Sequence, residues 1–343
     1  MLSHKVSKII LLAFSLGLIL EFSTKMYSNY IKSRIILDVL DLDLQEFYAY
    51  IEEYGKNYNQ QEFQVRFKNF KDNSAYIRLF NLQDHTWKLG VNFLADLSYE
   101  EYKTTYLPHK FQKSKTQQNE PQNLSQQPYP PTMDWRTKGA VTPVKNQQAC
   151  GGCYAFSAVS SIESAWFIAG HPLTSFSEQC IIDCSSAYGN DHCYGGLVDQ
   201  AFDYVKAKGL PTEATYPYLS ANEKCNHTLA DQVAVKITGY VDVQANSSTA
   251  LLTAVAQQPV SVGVEADQLS WSFYKSGVIT RDCGIYIDHA VVVDGYDTTQ
   301  NPPYYIVRNS WGPKWGMAGY VLIEIKDGPG MCGIQQLPSY PYF

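Results

Sequence analysis

The sequence predicts an α+β protein, and three observations carry that expectation. Residues Cys153 to Phe167, Ser177 to Asp183, Leu197 to Lys208 before Gly209, and Ser248 to Gln257 before Pro259 read as helices from their apolar spacing and their stop signals. After Pro259 the texture changes to short β-branched and aromatic runs, "VSVGVEA", "HAVVVDGY", "YYIVRN" and "GYVLIEI". Separated by Gly, Asp and Asn, these read as strands of an antiparallel sheet or barrel. All eight cysteines lie from Cys150 onward, so any disulfide staples belong to this same carboxy-terminal part.

Taken in chain order, Lys5 and Lys8 precede an apolar run from Ile9 to Leu20. The run has the charged and hydrophobic regions of a secretory signal peptide and is short for a membrane span of about 20 residues. Residues 1–25 are therefore expected to be a signal peptide rather than a stable span. Entry into the secretory pathway implies an oxidising compartment, which suits bridged cysteines and sequons at Asn123, Asn226 and Asn246. Residues 26–111 form the next expected unit. There Glu62, Arg66, Phe70, Asn73, Ile77 and Asn81 recur at spacings of three and four and fall on one helix stripe, with Glu62 and Arg66 able to pair. "GVNFLADL", Gly90 to Leu97, reads as a turn and short strand. Residues 112–128, rich in Gln, Asn, Ser and Pro, read as a linker open to cleavage. In the domain at 129–343, Ser175 and Glu178 fit a capping box.

From Tyr129 onward 12 Lys plus Arg stand against 19 Asp plus Glu, a net charge of −7. Nucleic acid is excluded as a partner, because binding it requires basic residues to neutralise phosphates. No period of 20 to 50 residues marks a solenoid or propeller.

The chemistry centres on "QQACGGCYAFSAV". A C-x-x-C pair serves redox sites, metal clips, or one structural cysteine beside one nucleophile, and spacing alone leaves all three open. A thioredoxin-like site needs a βαβ setting, whereas a Pro- and Gln-containing loop precedes Cys150. A zinc clip needs a second close Cys or His pair, which Cys180 and Cys184 do not supply with histidines. Cys153 stands where a helix starts, a position that stabilises a thiolate, and Gly151 and Gly152 let backbone amides come close to a substrate. His289 follows by 136 residues, directly before a strand, and Asn309 by 156.

Together "MDWRTKGAVTPVKNQQACGGCYAFSAV", "DHAVVVDGY" and "NSWGPKWGMAGY" resemble the papain family of cysteine peptidases, and within it the cathepsin L-like endopeptidases. The resemblance covers residues 44–111 and 129–343. It implies a two-lobe fold, with a helical left lobe, an antiparallel β-barrel-like right lobe and a cleft between them, preceded by a helical inhibitory prodomain. It also implies that Cys153 is the nucleophile, His289 the general base and acid, Asn309 the group orienting the imidazole, and Gln147 the side-chain donor of the oxyanion hole. Bridges Cys150–Cys193, Cys184–Cys225 and Cys283–Cys332 are implied in the same way. Cys180 is left over and reads as a small buried hydrophobe.

The stripe resembles the inhibitory propeptide signature of the cathepsin L-like group, and "GVNFLAD" its second motif, which implies a zymogen inhibited by its own propeptide. By resemblance Leu197, Val198, Gly263, Ile287, Ala290 and Leu337 line the S2 pocket, Gly151, Gly195 and Gly196 face an extended peptide, and Trp311 packs beside the site. Apolar S2 walls imply protein and peptide substrates with a bulky hydrophobic residue two positions before the scissile bond. No metal or cofactor is implied. A monomer in a lysosome-like vacuole or outside the cell is expected. Three positions depart from the family: Gln148 replaces a usual Gly, Gly152 a usual Ser, and Tyr154 a usual Trp. Gln148 is strained if its position needs a positive φ.

Overall fold

A computed structural model of the chain describes residues 23–32, 42–108 and 128–343. The expected signal peptide lies, over residues 1–22, outside the described residues, and so does the expected linker apart from residue 128. Two compact units divide the chain at Met1–Asp72 and Asn73–Phe343.

In the first unit a helix over 42–54 (α1) meets the start of α2 (Gln60–Asn81) through aromatic side chains. The ring of buried Phe47 has those of Tyr50, Tyr58, Phe63, Phe67 and Phe70 within 6.0 Å of it. Asn59 starts α2 by accepting from the backbone N–H groups of Gln61 and Glu62, both at 3.0 Å.

In the second unit the remaining stripe residues brace the chain that follows. Asn73 Nδ2 donates to the carbonyls of Ala95 and Leu97, and the Asn81 amide bonds both backbone groups of Leu89. Strand β1 (Trp87–Leu89) therefore ends where "GVNFLADL" begins, and that segment is a run of turns rather than the expected strand. The cause is local: Asn92 Oδ1 accepts from the Leu94 N–H at 3.0 Å, which folds the backbone back on itself. Next, α3 (Tyr99–Tyr106) opens with a complete capping box, Ser98 with Glu101.

The expected box at Ser175 and Glu178 does not form. Ser177 caps α5 (Glu178–Cys184) by accepting from the Cys180 N–H, while the Glu178 carboxylate turns inward to Lys145 at 2.6 Å. α4 (Cys153–Ile168), α5, α6 (Val198–Lys208) and the short α7 (His227–Ala230) make the helical lobe. Its core includes Tyr154, Ala158 and Ile162 of α4, Ile181 of α5, and Phe202 and Val205 of α6. Gly209, at φ 80°, ends α6 as its sequence position predicts.

The remaining strands are β2 (Thr132–Asp134), β3 (Gly239–Asp242), β4 (Val260–Val264), β5 (Tyr274–Ile279), β6 (His289–Asp297), β7 (Tyr304–Arg308), β8 (Tyr320–Glu324) and β9 (Ser339–Tyr342). They join β1 in one sheet, in the order β1-β5-β8-β7-β6-β4-β9-β3 with β2 beside β6. Pairing is antiparallel except between β5 and β8. The sheet is not closed, so the barrel-like lobe is an open curved layer of strands, flanked by α8 (Ser248–Gln257) and α9 (Leu269–Ser272).

Helix α4 is buried from Cys153 through Ala165 and lies against the sheet. Ser157 Oγ donates to the Val291 carbonyl of β6 at 2.8 Å, and Ser261 Oγ of β4 donates to the Ser157 carbonyl at 3.0 Å. Disulfides Cys150–Cys193, Cys184–Cys225 and Cys283–Cys332 staple loops around this junction.

Lys145 holds the loop before α4. Its Nζ lies 2.7 Å from Glu163 and 2.6 Å from Glu178, and both carboxylates are buried. Removing the cation leaves two buried anions facing one another, so Lys145→Ala is expected to cost about 3–5 kcal/mol of stability, read as a lowered denaturation midpoint.

Candidate active site

Cys153 is the first residue of α4, and the Gly152 before it offers no side-chain cap. The free amides of this helix end remain available, and the backbone N–H groups of Ala290, Tyr154 and Cys153 favour the ionised thiol against the larger effect of burial. His289 begins β6, one residue before Ala290. Its Nε2 lies 2.8 Å from Asn309 Oδ1. That oxygen also accepts from the Ser310 N–H at 2.8 Å, which fixes which end of the Asn309 amide is oxygen. Nε2 must then carry the imidazole hydrogen, leaving the lone pair on Nδ1, a buried atom with no hydrogen-bond partner among the described residues. Trp311 lies over the imidazole, 5.0 Å between centroids and tilted 31°, with Trp271 edge-on at 6.5 Å.

Gln147 is oriented from both ends. Its Oε1 accepts from Ser310 Oγ at 2.6 Å, and its Nε2 donates to the carbonyls of Cys150 at 2.9 Å and Tyr106 at 3.0 Å. Gln148 adopts φ 50°, so the positive φ that the sequence flags is present at a residue with a Cβ. Tyr154 is fully buried, and its hydroxyl donates to the His192 carbonyl.

The second half of α3 and the residues just after it cover this centre. The Tyr106 and Tyr102 rings meet Trp311 edge-on at 5.9 and 5.8 Å. A Cβ on Gly151 would stand 3.2 Å from the Pro108 Cα. Cys153, His289 and Gln147 are consequently 0% exposed. Burial pushes the thiol up to about 12, and burial takes the imidazole down to about 4 against the opposing bond to Asn309. In this covered state both groups are neutral.

The residues expected to hold substrate fall in three places. Gly195 has φ 130°, and Gly196 is pressed against Asn190, whose Oδ1 accepts from the Leu197 N–H at 3.0 Å. Ser339 Oγ donates to Asp199 at 2.9 Å, joining the start of α6, with Leu197 and Val198, to the start of β9 after Leu337. Gly263 leaves room that the Ile287 side chain fills, and Ala290 is buried on β6.

Sequence reasoning missed Ser310, Asn190 and Tyr106. Ser310 sits inside the quoted motif, adjacent to Asn309, but Asn190 reaches the site from a loop and Tyr106 from the last turn of α3, neither with a local signal. Asp288 was also passed over. It neighbours His289, accepts from the Ala266 N–H at 2.6 Å, and is pushed up to about 7 by burial. Cys180 is buried, its sulfur 3.3 Å from the Tyr204 hydroxyl, and burial pushes its thiol up to about 11.

A buried thiol at a helix start and a buried imidazole of fixed tautomer, with a cover supplied by the same chain, are the parts that a cysteine hydrolase in an inhibited form would use. Residues 129–342 match the model of the papain family cysteine protease, and residues 47–102 that of the cathepsin propeptide inhibitor domain (I29). The chain therefore belongs to the papain family of cysteine peptidases and is a cysteine-type endopeptidase made with an inhibitory propeptide. It is 44% identical over 290 residues to the senescence-specific cysteine protease SAG12 of Arabidopsis thaliana, covering 80% of this chain and 83% of that protein. Vignain of Phaseolus vulgaris is 41% identical over 286 residues, covering 80% and 79%. Among solved structures, digestive procathepsin L2 proteinase from Tenebrio molitor larval midgut superposes with a TM-score of 0.80 at 31% identity, covering 88% of this chain and 100% of that one. The recombinant stem bromelain precursor gives 0.80 at 34%, covering 88% and 99%.

A thiol at about 12 is only about 10⁻⁵ ionised at pH 7. Iodoacetamide is expected to alkylate Cys153 at least ~100-fold more slowly in the intact chain than after removal of the propeptide. Peptide mapping of timed reactions at pH 7 checks this.

Proposed function

We propose that the chain is the zymogen of an endopeptidase in which Cys153 attacks the scissile carbonyl and His289 shuttles the proton. The observation that carries this reading is the tautomer set by Asn309, which leaves the Nδ1 lone pair free for the thiol proton. Once the cover leaves and water enters, the desolvation that keeps both groups neutral is relieved. Thiolate and imidazolium can then form together. Sulfur adds to the carbonyl carbon, the imidazolium gives its proton to the departing amine, and water attacks the thioester with His289 as base. Negative charge on the carbonyl oxygen is met by Gln147 Nε2 and the Cys153 N–H, a site that the Tyr106 carbonyl fills on the Gln147 side in the zymogen.

Residues 1–25 act as a signal peptide, 26–111 as the inhibitory unit, 112–128 as the cleaved linker and 129–343 as the peptidase, in this reading. Delivery to a vacuole or the cell exterior, with glycans on the sequons, follows from the same route. Leu197, Val198, Gly263, Ile287, Ala290 and Leu337 offer no acid to pair with arginine, so leucine or phenylalanine is preferred at the second position before the cut.

Cys153→Ala is expected to abolish peptide hydrolysis and leave the propeptide attached. Gln147→Ala is expected to lower kcat by about 10- to 10³-fold with folding unchanged. Hydrolysis assays after an added protease has cut the propeptide away, with gels of the untreated protein and circular dichroism, check both; normal turnover by the first variant removes Cys153 from the reaction.

Acid should loosen the cover at His85. This imidazole stacks on Phe80 at 3.8 Å, and its Nδ1 lies 2.7 and 3.1 Å from two guanidinium nitrogens of Arg281. Its pKa is lowered by burial and then by Arg281 and Lys88, with Asp282 and Asp84 opposing. A base with a depressed pKa contributes fully above its free value near 6.5 and loses that contribution as pH falls from there through the depressed value. His85→Gln, which keeps an acceptor without titrating, is expected to slow propeptide release below pH 6 while leaving it unchanged at pH 7.5, as followed by gel time courses.

A further inference from the structure

Glu265 follows β4, is 4% exposed, and takes no part in the chemistry above. One carboxylate oxygen accepts from the Gly284 N–H at 2.8 Å and from Gln268 Nε2 at 3.1 Å; the other accepts from the Tyr286 N–H at 2.6 Å. Its own N–H donates to the Cys332 carbonyl at 2.8 Å. Glu265 thus holds the 282–288 loop by its side chain and the 332 region by its backbone, where the Cys283–Cys332 bridge joins the two.

This loop needs such a hold. Tyr286 is 85% exposed and Ile285 48%, so its outer residues have little packing to place them. Between Tyr286 and His289 comes Ile287, whose side chain occupies the space above Gly263 and reaches Gly333. Ile287 can form a firm pocket wall only if the backbone on its amino-terminal side is fixed. The attachments there include the hydrogen bonds from two backbone N–H groups to Glu265, the disulfide, Ser270 Oγ donating to the Asp282 carbonyl at 3.1 Å, and Gln336 Nε2 donating to the Ile285 carbonyl at 2.7 Å. On the other side, the Asp288 N–H donates to the Val264 carbonyl.

We propose that Glu265 is a positioning residue for specificity, its carboxylate clamping the 284 and 286 amides so that Ile287 closes the hydrophobic wall of the S2 pocket. This deepens the reading of that pocket given above and rests on it. Bonds from two backbone amides to an ionised carboxylate are stronger than neutral ones, and alanine removes both at once. Glutamine keeps one acceptor but turns an amide N–H toward one of the two backbone N–H groups, so it restores half of the clamp.

The test measures kcat and KM of processed wild type, Glu265→Ala and Glu265→Gln on two fluorogenic peptides that differ only in phenylalanine or alanine at the second position before the cut. Active enzyme is counted by titration with a peptidyl epoxide. The expected result is a kcat/KM for the phenylalanine peptide that falls about tenfold more than that for the alanine peptide in Glu265→Ala, carried by KM, with glutamine intermediate. Gly284→Ala, which drives a Cβ into the intact Glu265 carboxylate, is expected to give the same loss of selectivity and serves if the first variant does not fold. An equal fall on both peptides, a fall confined to kcat, or an unchanged ratio in these variants overturns the proposal. A wild type that does not distinguish the two peptides overturns the pocket reading instead.

Discussion

The placement of helix α4 against the first residues of β6 is the constraint from which the site follows. A helix carries its thiol at one end and a sheet carries its imidazole at the edge of a strand, and no local sequence signal brings the two together. Ser157 and Ser261 tie that helix to that sheet, because both are buried and each must spend its hydroxyl on a carbonyl of the opposite lobe. With those bonds made, α4 cannot slide along β6 without leaving buried polar groups unpaired. The register of β4 on β6, Val264 opposite His289, extends the same constraint into the sheet.

Around this junction the protein uses one physical effect, desolvation, for inhibition. Tyr102 and Tyr106 close over Trp311, and the groups beneath lose the water that would support their charged forms. Both groups are then neutral, with the Cys153 thiol pushed up to about 12 and the His289 imidazole down to about 4. The covalent parts are unaltered: the tautomer, the Gln147 amide and the helix end are already in place. Inhibition of this kind needs no distortion of the site, and removing the cover is sufficient to reverse it.

Much of this was legible in the sequence. The four helices expected between Cys153 and Gln257 begin and end within a residue of their expected bounds, because Gly, Pro and Ser punctuate them locally, and the bridged cysteine pairs are those that the resemblance implies. The errors occur where a distant partner overrides local pattern. Glu178 fits a capping box with Ser175 until Lys145, thirty-three residues away, claims its carboxylate. Trp87–Leu89 is a strand only because it pairs with β5 some 190 residues later, and "GVNFLADL" lost its expected strand because Asn92 bends the chain first. Asn190, in a loop, and Tyr106, at the end of a short helix, were invisible for the same reason, since each is placed by partners distant in sequence.

Gln148 is the most instructive departure. A positive φ at a residue with a Cβ costs of order 1 kcal/mol, and a glycine there would relieve it. The strain is borne by bonds on either side. The Gln148 N–H donates to Asn146 Oδ1 at 2.9 Å, and the Gln147 carbonyl accepts from the Tyr218 hydroxyl. Lys145 in turn holds the start of the loop, its carbonyl accepting from the Gly312 N–H one residue after Trp311. Misplacement of the Gln147 amide would require these bonds to give way before the single unfavourable dihedral did. The cost of the substitution therefore falls on folding stability, and the Gln147 amide keeps the geometry set by Ser310 and Cys150.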